Sequence, residues 1–180
     1  EAHDSSVSLL TADGRMVGNG YFDQTPHFGT FEHTVRAVVE DFPPEKMSPG
    51  DVYIVNDPHR QASHLNDFFF IAPFYYKSRL LGYVTNICHH VDVGGGAPAS
   101  IGAFREVYQE GVIIPPVKLV HNGQINKDVF DLIMAQVRAK RETAGDFRAQ
   151  IAANNTGVRR LVDLAERMGA DVVNSYICEL

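Results

Sequence analysis

Apolar and polar positions follow strand-like spacing through the first two-thirds of the chain and helical spacing through the last third. Residues 6–10, followed by Met16 and Val17, read as a hairpin turned at Asp13-Gly14. Pro26-His27-Phe28-Gly29 is a loop, after which Thr30 is placed to cap a helix running to Glu40, with Val35, Val38 and Val39 on its apolar face. His33 on that helix reads as a surface or packing residue. Phe42-Pro43-Pro44 ends it, and a turn at Ser48-Pro49-Gly50 leads into a strand over 52–55. Asn56-Asp57-Pro58-His59 closes that strand as a second turn. Two longer apolar runs, 68–74 and 80–87, form the next hairpin.

In the last third, Asn126 is a cap for a helix from 127 to about 141, with Val129, Phe130, Ile133, Met134 and Val137 apolar. A second helix starts near Gly145-Asp146 and runs toward Met168, interrupted by a kink or loop at Asn154-Asn155-Thr156-Gly157. Gly169 ends it, and a further periodic stretch runs from Asp171 to Leu180. The predicted fold is therefore mixed α+β, with β-hairpins forming a site and C-terminal helices packed against them.

Candidate chemistry gathers at the ends of the long hairpin. His64 and Asp67 precede its first strand, while His89, His90 and Asp92 follow its second. A hairpin brings its two ends together, so imidazole and carboxylate converge there, as a divalent metal requires at about 2.0–2.2 Å. Taken singly, each pair has a plainer reading: a solvated loop for H-x-x-D, a buried pair for His-His. Gly94-Gly95-Gly96 then let the backbone come close to whatever is bound. Asp4 is a strand-edge turn residue or a ligand, and Asp57, His59 and Arg60 are placed to shape the pocket or to act as turn punctuation. Before the run Val112-Ile113-Ile114-Pro115-Pro116, the polar stretch 105–111 is either a surface turn or the source of Glu106 or Glu110 as base or anchor.

Composition narrows the class. At 180 residues the chain is one domain or a piece of one, with 44% hydrophobic and 21% charged residues. A net charge of −6 and the lack of a basic stripe argue against nucleic-acid binding. The apolar runs are too short to span a membrane. Cys88 and Cys178 stand far apart in unlike contexts, so reduced thiols and a cytoplasmic location are expected. A chain that opens on Glu1 and stops inside a periodic stretch is expected to be part of a longer one.

Five motifs occur in order: G-D-V-Y-I-V-N-D-P (50–58), S-H-L-N-D (63–67), H-H-V-D-V-G-G (89–95), Q-E-G-V-I-I-P-P-V-K-L (109–119) and G-D-F-R-A-Q-I-A-A-N (145–154). Together they resemble the B-type subunit of the hydantoinase/oxoprolinase family, which also includes subunits of acetone and acetophenone carboxylases. The resemblance covers nearly the whole chain and implies that residues 1–180 are the N-terminal part of a longer domain. It further implies an A-type partner that binds ATP with magnesium and phosphorylates a cyclic amide or ketone. The B-type subunit then completes hydrolysis or, in the carboxylases, carbon dioxide transfer.

A divalent metal (zinc, manganese or iron) is implied at His64, Asp67 and His89, with Asp4 matching a further ligand of some members. Around it, His90 or Asp92 is expected to orient a ligand or act as base, with Glu110 as a further base or anchor. The backbone amides of Gly94 and Gly95 are expected to hold an oxyanion or phosphate. No Walker-type lysine loop occurs, so ATP is expected on the partner, in a hetero-oligomer. The sequence departs from the family's G-G-T-H-L-P-D at Gln61-Ala62-Ser63-His64-Leu65-Asn66-Asp67, and His59 stands where an aromatic residue is usual. Three functions are thus open: an amidohydrolase subunit, a carboxylase subunit on the same site, or a scaffold that retains the fold.

Overall fold

The computed structural model describes residues 4–21, 23–60 and 62–179. Glu1, Gln61 and Leu180, named above, lie outside the described residues. The strands are β1 (Ser5–Thr11), β2 (Met16–Asn19), β3 (Val52–Val55), β4 (Asp67–Tyr76), β5 (Arg79–His89), β6 (Val117–His121) and β7 (Gln124–Ile125). They form a seven-stranded antiparallel sheet in the order β2-β1-β5-β4-β3-β6-β7. The helices are α1 (Phe31–Asp41), α2 (Lys127–Gln136), α3 (Lys140–Met168) and α4 (Ala170–Glu179). No helix of the described residues is long and apolar enough to cross a membrane.

Strand alternation divides the core into layers. Tyr53, Val55, Phe69, Ile71, Tyr83 and Ile87 pack with Phe31, Val35 and Val38 of α1. The intervening Val52, Ile54, Phe68, Phe70 and Ala72 pack on the opposite face with Ile133 and Met134 of α2 and Phe147 and Ile151 of α3. A third cluster joins Phe74 and Leu81 to Ala165 of α3 and to Val173 and Ile177 of α4. The sheet is thus covered on both faces, which is why β4 is buried over its first eight residues rather than alternating.

The mixed α+β expectation holds, with four local differences. Thr30 stands at the N-cap of α1 as expected, but its side chain makes no capping bond; its hydroxyl donates to the His27 carbonyl at 2.6 Å. The 117–125 segment forms an additional hairpin, turned at Asn122-Gly123 with both residues at positive φ (48° and 80°), the geometry of a two-residue type I′ turn. Instead of reaching about 141, α2 stops at Gln136, because Val137 is extended and buried and Arg138 is drawn to the glycine loop. And α3 runs unbroken through 154–157. There Asn154 donates to the Phe70 carbonyl at 3.0 Å and accepts from Asn86 at 2.8 Å, while Gly157 lies so near Val84 that a Cβ would meet it at 2.7 Å. Those polar and small residues are the seam where the helix meets the sheet.

Candidate metal centre

The pairing of the two long strands sets the site. β4 and β5 place Asp67 opposite His89. On the other side of β5, β1 pairs Ser5 with Cys88, and the His89 N–H donates to the Asp4 carbonyl at 2.9 Å. Asp4, immediately before β1, therefore stands in one row with His89 and Asp67 and shares their face, the one covered by α1. His64 comes from the loop before β4. Asn56, fully buried, holds that loop: its amide donates to the Leu65 and Val112 carbonyls at 2.6 and 2.9 Å, and its oxygen accepts the Ile114 N–H at 2.6 Å.

One potential ligand atom each from His64, Asp67 and His89 lies within 4.8 Å of the others. His64 Nδ1 is 2.5 Å from Asp67 Oδ2, and His89 Nδ1 is 2.8 Å from Asp67 Oδ1. Two imidazole nitrogens and a carboxylate this close together are a donor set that suits a divalent cation of the zinc, manganese or iron type. Asp4 lies beside the group, with Oδ2 4.0 Å from His89 Nδ1. Beside this group is a cavity of about 330 Å³ lined by Asp4, Gln24, Pro26, His27, Ser63 and His64.

The electrostatics follow from burial and pairing. Desolvation opposes ionisation of Asp67 most strongly, yet hydrogen bonds from His89 and Ser63 and the adjacent His64 outweigh it, holding the carboxyl at about 2. The same Asp67 bond raises the His89 pKa, against partial burial. The acid is thus an anion at neutral pH, and His89 keeps its proton more firmly than an ordinary imidazole.

The hydantoinase B/oxoprolinase family model matches residues 1–180. The chain belongs to this family. It is 42% identical over 170 residues to an uncharacterized protein of Methanocaldococcus jannaschii, covering 92% of this chain and 30% of that protein. It is 36% identical over 180 residues to the caprolactamase subunit beta of Pseudomonas jessenii, covering 99% of this chain and 31% of that subunit. The crystal structure of the ATP-dependent caprolactamase from P. jessenii superimposes with a TM-score of 0.92 at 35% identity, over 99% of this chain and 31% of that one. Nucleotide-free acetone carboxylase shares the fold, with a TM-score of 0.89 at 19% identity over 97% of this chain and 23% of that one. The chain thus spans under a third of the length of these proteins.

Other residues singled out from the sequence of this family member stand apart from the His64–Asp67–His89 group. His90 points to the opposite face, because neighbours on a strand alternate. It is fully buried between Phe68 and Phe147, with ring centroids 4.9 and 5.3 Å away, and Nε2 meets Gln150 Oε1 at 2.9 Å. Burial lowers its pKa, so it packs as a neutral ring. Asp92 accepts the N–H groups of Gly94 and Ala99 at 2.8 and 2.9 Å and an Arg138 contact at 3.3 Å. Arg138 also donates to the carbonyls of Gly94, Gly95 and Ala97, so Asp92 and Arg138 build the glycine loop rather than face the cavity.

The Gly94 N–H is thereby occupied, and the Gly96 N–H donates to the Gln109 carbonyl at 2.7 Å. Gly94 and Gly95 have φ of 89° and 79° and lie against the backbones of Gln136 and Gln109, so their small size serves chain packing. Glu110 is exposed at the end of a short 3-10 turn. Asp57 caps the His59 N–H at 2.9 Å, and Arg60 pairs with Asp41 at 2.9 Å, tying that turn to α1. Burial pushes the Cys88 thiol up to about 11, and neither it nor Cys178 is in a disulfide.

Gln24 and His27, both at the cavity, were not singled out. His27, 5% exposed, sits with Nε2 3.5 Å from Asp4 Oδ1. No spacing in the sequence relates positions 27 and 4; only the packing of the loop before α1 on β1 joins them.

Proposed function

We propose that this chain is the N-terminal part of the metal-dependent subunit of an ATP-dependent cyclic-amide hydrolase, acting on a substrate first phosphorylated by a separate ATP-binding subunit. The observation that carries the reading is the convergence of His64, Asp67 and His89 beside a 330 Å³ cavity, in a chain whose 36%-identical relative is a caprolactamase subunit. His64, Asp67 and His89 would hold the ion, with Asp4 as a fourth donor. A divalent cation there supplies positive charge that polarises a substrate oxygen and stabilises charge developing on it.

The chain's own residues do the positioning. Asp67, held by Ser63 at 2.5 Å, keeps both imidazoles gathered at its carboxylate, and Ser63 is the outer partner that orients that carboxylate. Ser63, Gln24 and Pro26 form the cavity wall, which is large enough for a small ring and mixes polar with apolar lining. The cytoplasm suits free thiols and an ATP-requiring partner.

Reconstitution tests this division of labour. The full-length chain with its ATP-binding partner should open a lactam or hydantoin ring only when ATP is present, and the chain alone should not. Turnover by the chain alone without nucleotide would refute it. Labelled bicarbonate entering the product would assign the site to a carboxylase instead, and a native protein free of metal would leave a scaffold.

The raised pKa of His89 gives a pH signature. Its proton must leave before the nitrogen can bind a cation. Metal affinity should therefore climb with pH, most steeply through a pKa above the ordinary imidazole value of about 6.5. Stability of the metal-free protein runs the other way. The His89–Asp67 bond contributes fully below the unfolded-state pKa and is lost as pH rises through the raised one. Calorimetric titration in buffers of different ionisation enthalpy should register the proton released on binding; pH-independent affinity between pH 6 and 8 would contradict the assignment.

A further inference from the structure

We infer that His27 and Ser6 act as positioning residues for Asp4, a role that rests on the metal reading above. A chain of polar contacts runs into the row of candidate ligands from behind. The Gln24 N–H donates to Ser6 Oγ at 2.9 Å, and Ser6 Oγ lies 2.8 Å from His27 Nδ1. His27 Nε2 then faces Asp4 Oδ1 at 3.5 Å, and Asp4 Oδ2 faces His89 Nδ1 at 4.0 Å. Ser6 and His27 are 1% and 5% exposed, so both are largely shielded from bulk solvent.

Hydrogen accounting sets the direction. Ser6 Oγ already accepts from a backbone amide, and among the described residues His27 Nδ1 is the acceptor placed for its proton. At the other end Nε2 faces a carboxylate oxygen, which can only accept. The carboxylate end requires hydrogen on Nε2, and with that tautomer Nδ1 is free to accept the Ser6 hydroxyl proton. His27 so presents an N–H to one oxygen of Asp4, leaving the other turned toward His89. Ser6 anchors the ring to the strand that carries Asp4 itself, because Ser6 follows Asp4 by two positions and shares its face.

Outer partners of this kind typically change metal affinity about 10–100-fold. The test uses the full-length chain and measures Mn²⁺ and Zn²⁺ dissociation constants by chelator competition, with urea midpoints as a check on folding. His27→Asn keeps a group near Nδ1 but loses the donor at Nε2, and should weaken binding about 10–100-fold. His27→Gln carries an amide nitrogen out to the Nε2 position and should stay within about threefold of wild type, as a retained hydrogen-bond donor would predict. In a cycle with Asp4→Ala, His27→Asn should add nothing, because its effect passes through the carboxylate already removed.

Additive losses in that cycle, or equal losses for the Asn and Gln variants, would overturn the assignment. Should His27→Asn fail to fold, Ser6→Ala crossed with Asp4→Ala asks the same question. A wild-type chain that binds neither metal would bring down the metal reading itself, an outcome distinct from metal binding that is indifferent to His27.

Discussion

Replacing His64 by alanine should abolish tight metal binding while leaving the fold unchanged. The side chain is 69% exposed on a loop, so unfolding stability should move by no more than about 0.5 kcal/mol. Loss of a direct ligand should exceed the effect of an outer partner, so affinity should fall by more than about 100-fold and ring opening with it. Asp67→Ala makes the contrast. Asp67 is fully buried and accepts from Ser63, His64 and His89, so its removal strands those donors and should cost about 3–5 kcal/mol as well as the metal. Metal analysis alongside urea denaturation separates the two. A His64→Ala protein that retains stoichiometric metal would exclude the proposed ligand set.

The second large effect lies in the glycine loop, and it should appear as stability lost with no direct contact to the site. In Gly95→Ala the new methyl would run onto the Gln109 carbonyl and within 2.8 Å of Glu110 C and Gly111 N, at a φ of 79° that also disfavours a side chain. Left-handed strain of about 1–2 kcal/mol, added to overpacking of about 1–3 kcal/mol, should lower stability by roughly 3 kcal/mol. Gly123→Ala is the control: it has a similar φ of 80° but nothing within 4 Å of the added methyl, so only the strain is paid. Equal losses at both positions in thermal unfolding would show that close packing at residue 95 contributes nothing. A mutation that left stability alone but blocked turnover would restore the oxyanion-binding reading.

The comparison between sequence and structure turns on what each signal encodes. The β4–β5 hairpin was legible from its two apolar runs and short turn, but its register was not: the pairing beside the turn, Tyr76 with Arg79, would set Asp67 opposite Cys88, and a bulge between Phe74 and Tyr75 shifts the ladder by one residue and brings positions 67 and 89 together. The same alternation separates His89 from His90, so reading both into one site neglected the pleat. The Asn122-Gly123 turn was equally available and marks β6–β7.

Elsewhere local rules give way to tertiary contacts. Asn154 and Gly157 resemble a helix break in isolation, yet they are what a helix needs to approach a strand carbonyl and a valine closely. Arg138 looks like a solvated helix residue until Asp92 and three loop carbonyls converge on it. His27 was beyond sequence reasoning, since nothing nearby in the chain signals its approach to β1.

His89 and Asp67 are fastened into neighbouring strands and Asp4 immediately before a third, whereas His64 arrives on a short segment pinned by Asn56. Strength of capture and speed of exchange would then be governed by different parts of the molecule. If the proposed ion binds there, substitutions at Asn56 should loosen the His64 segment and shorten the ion's residence time.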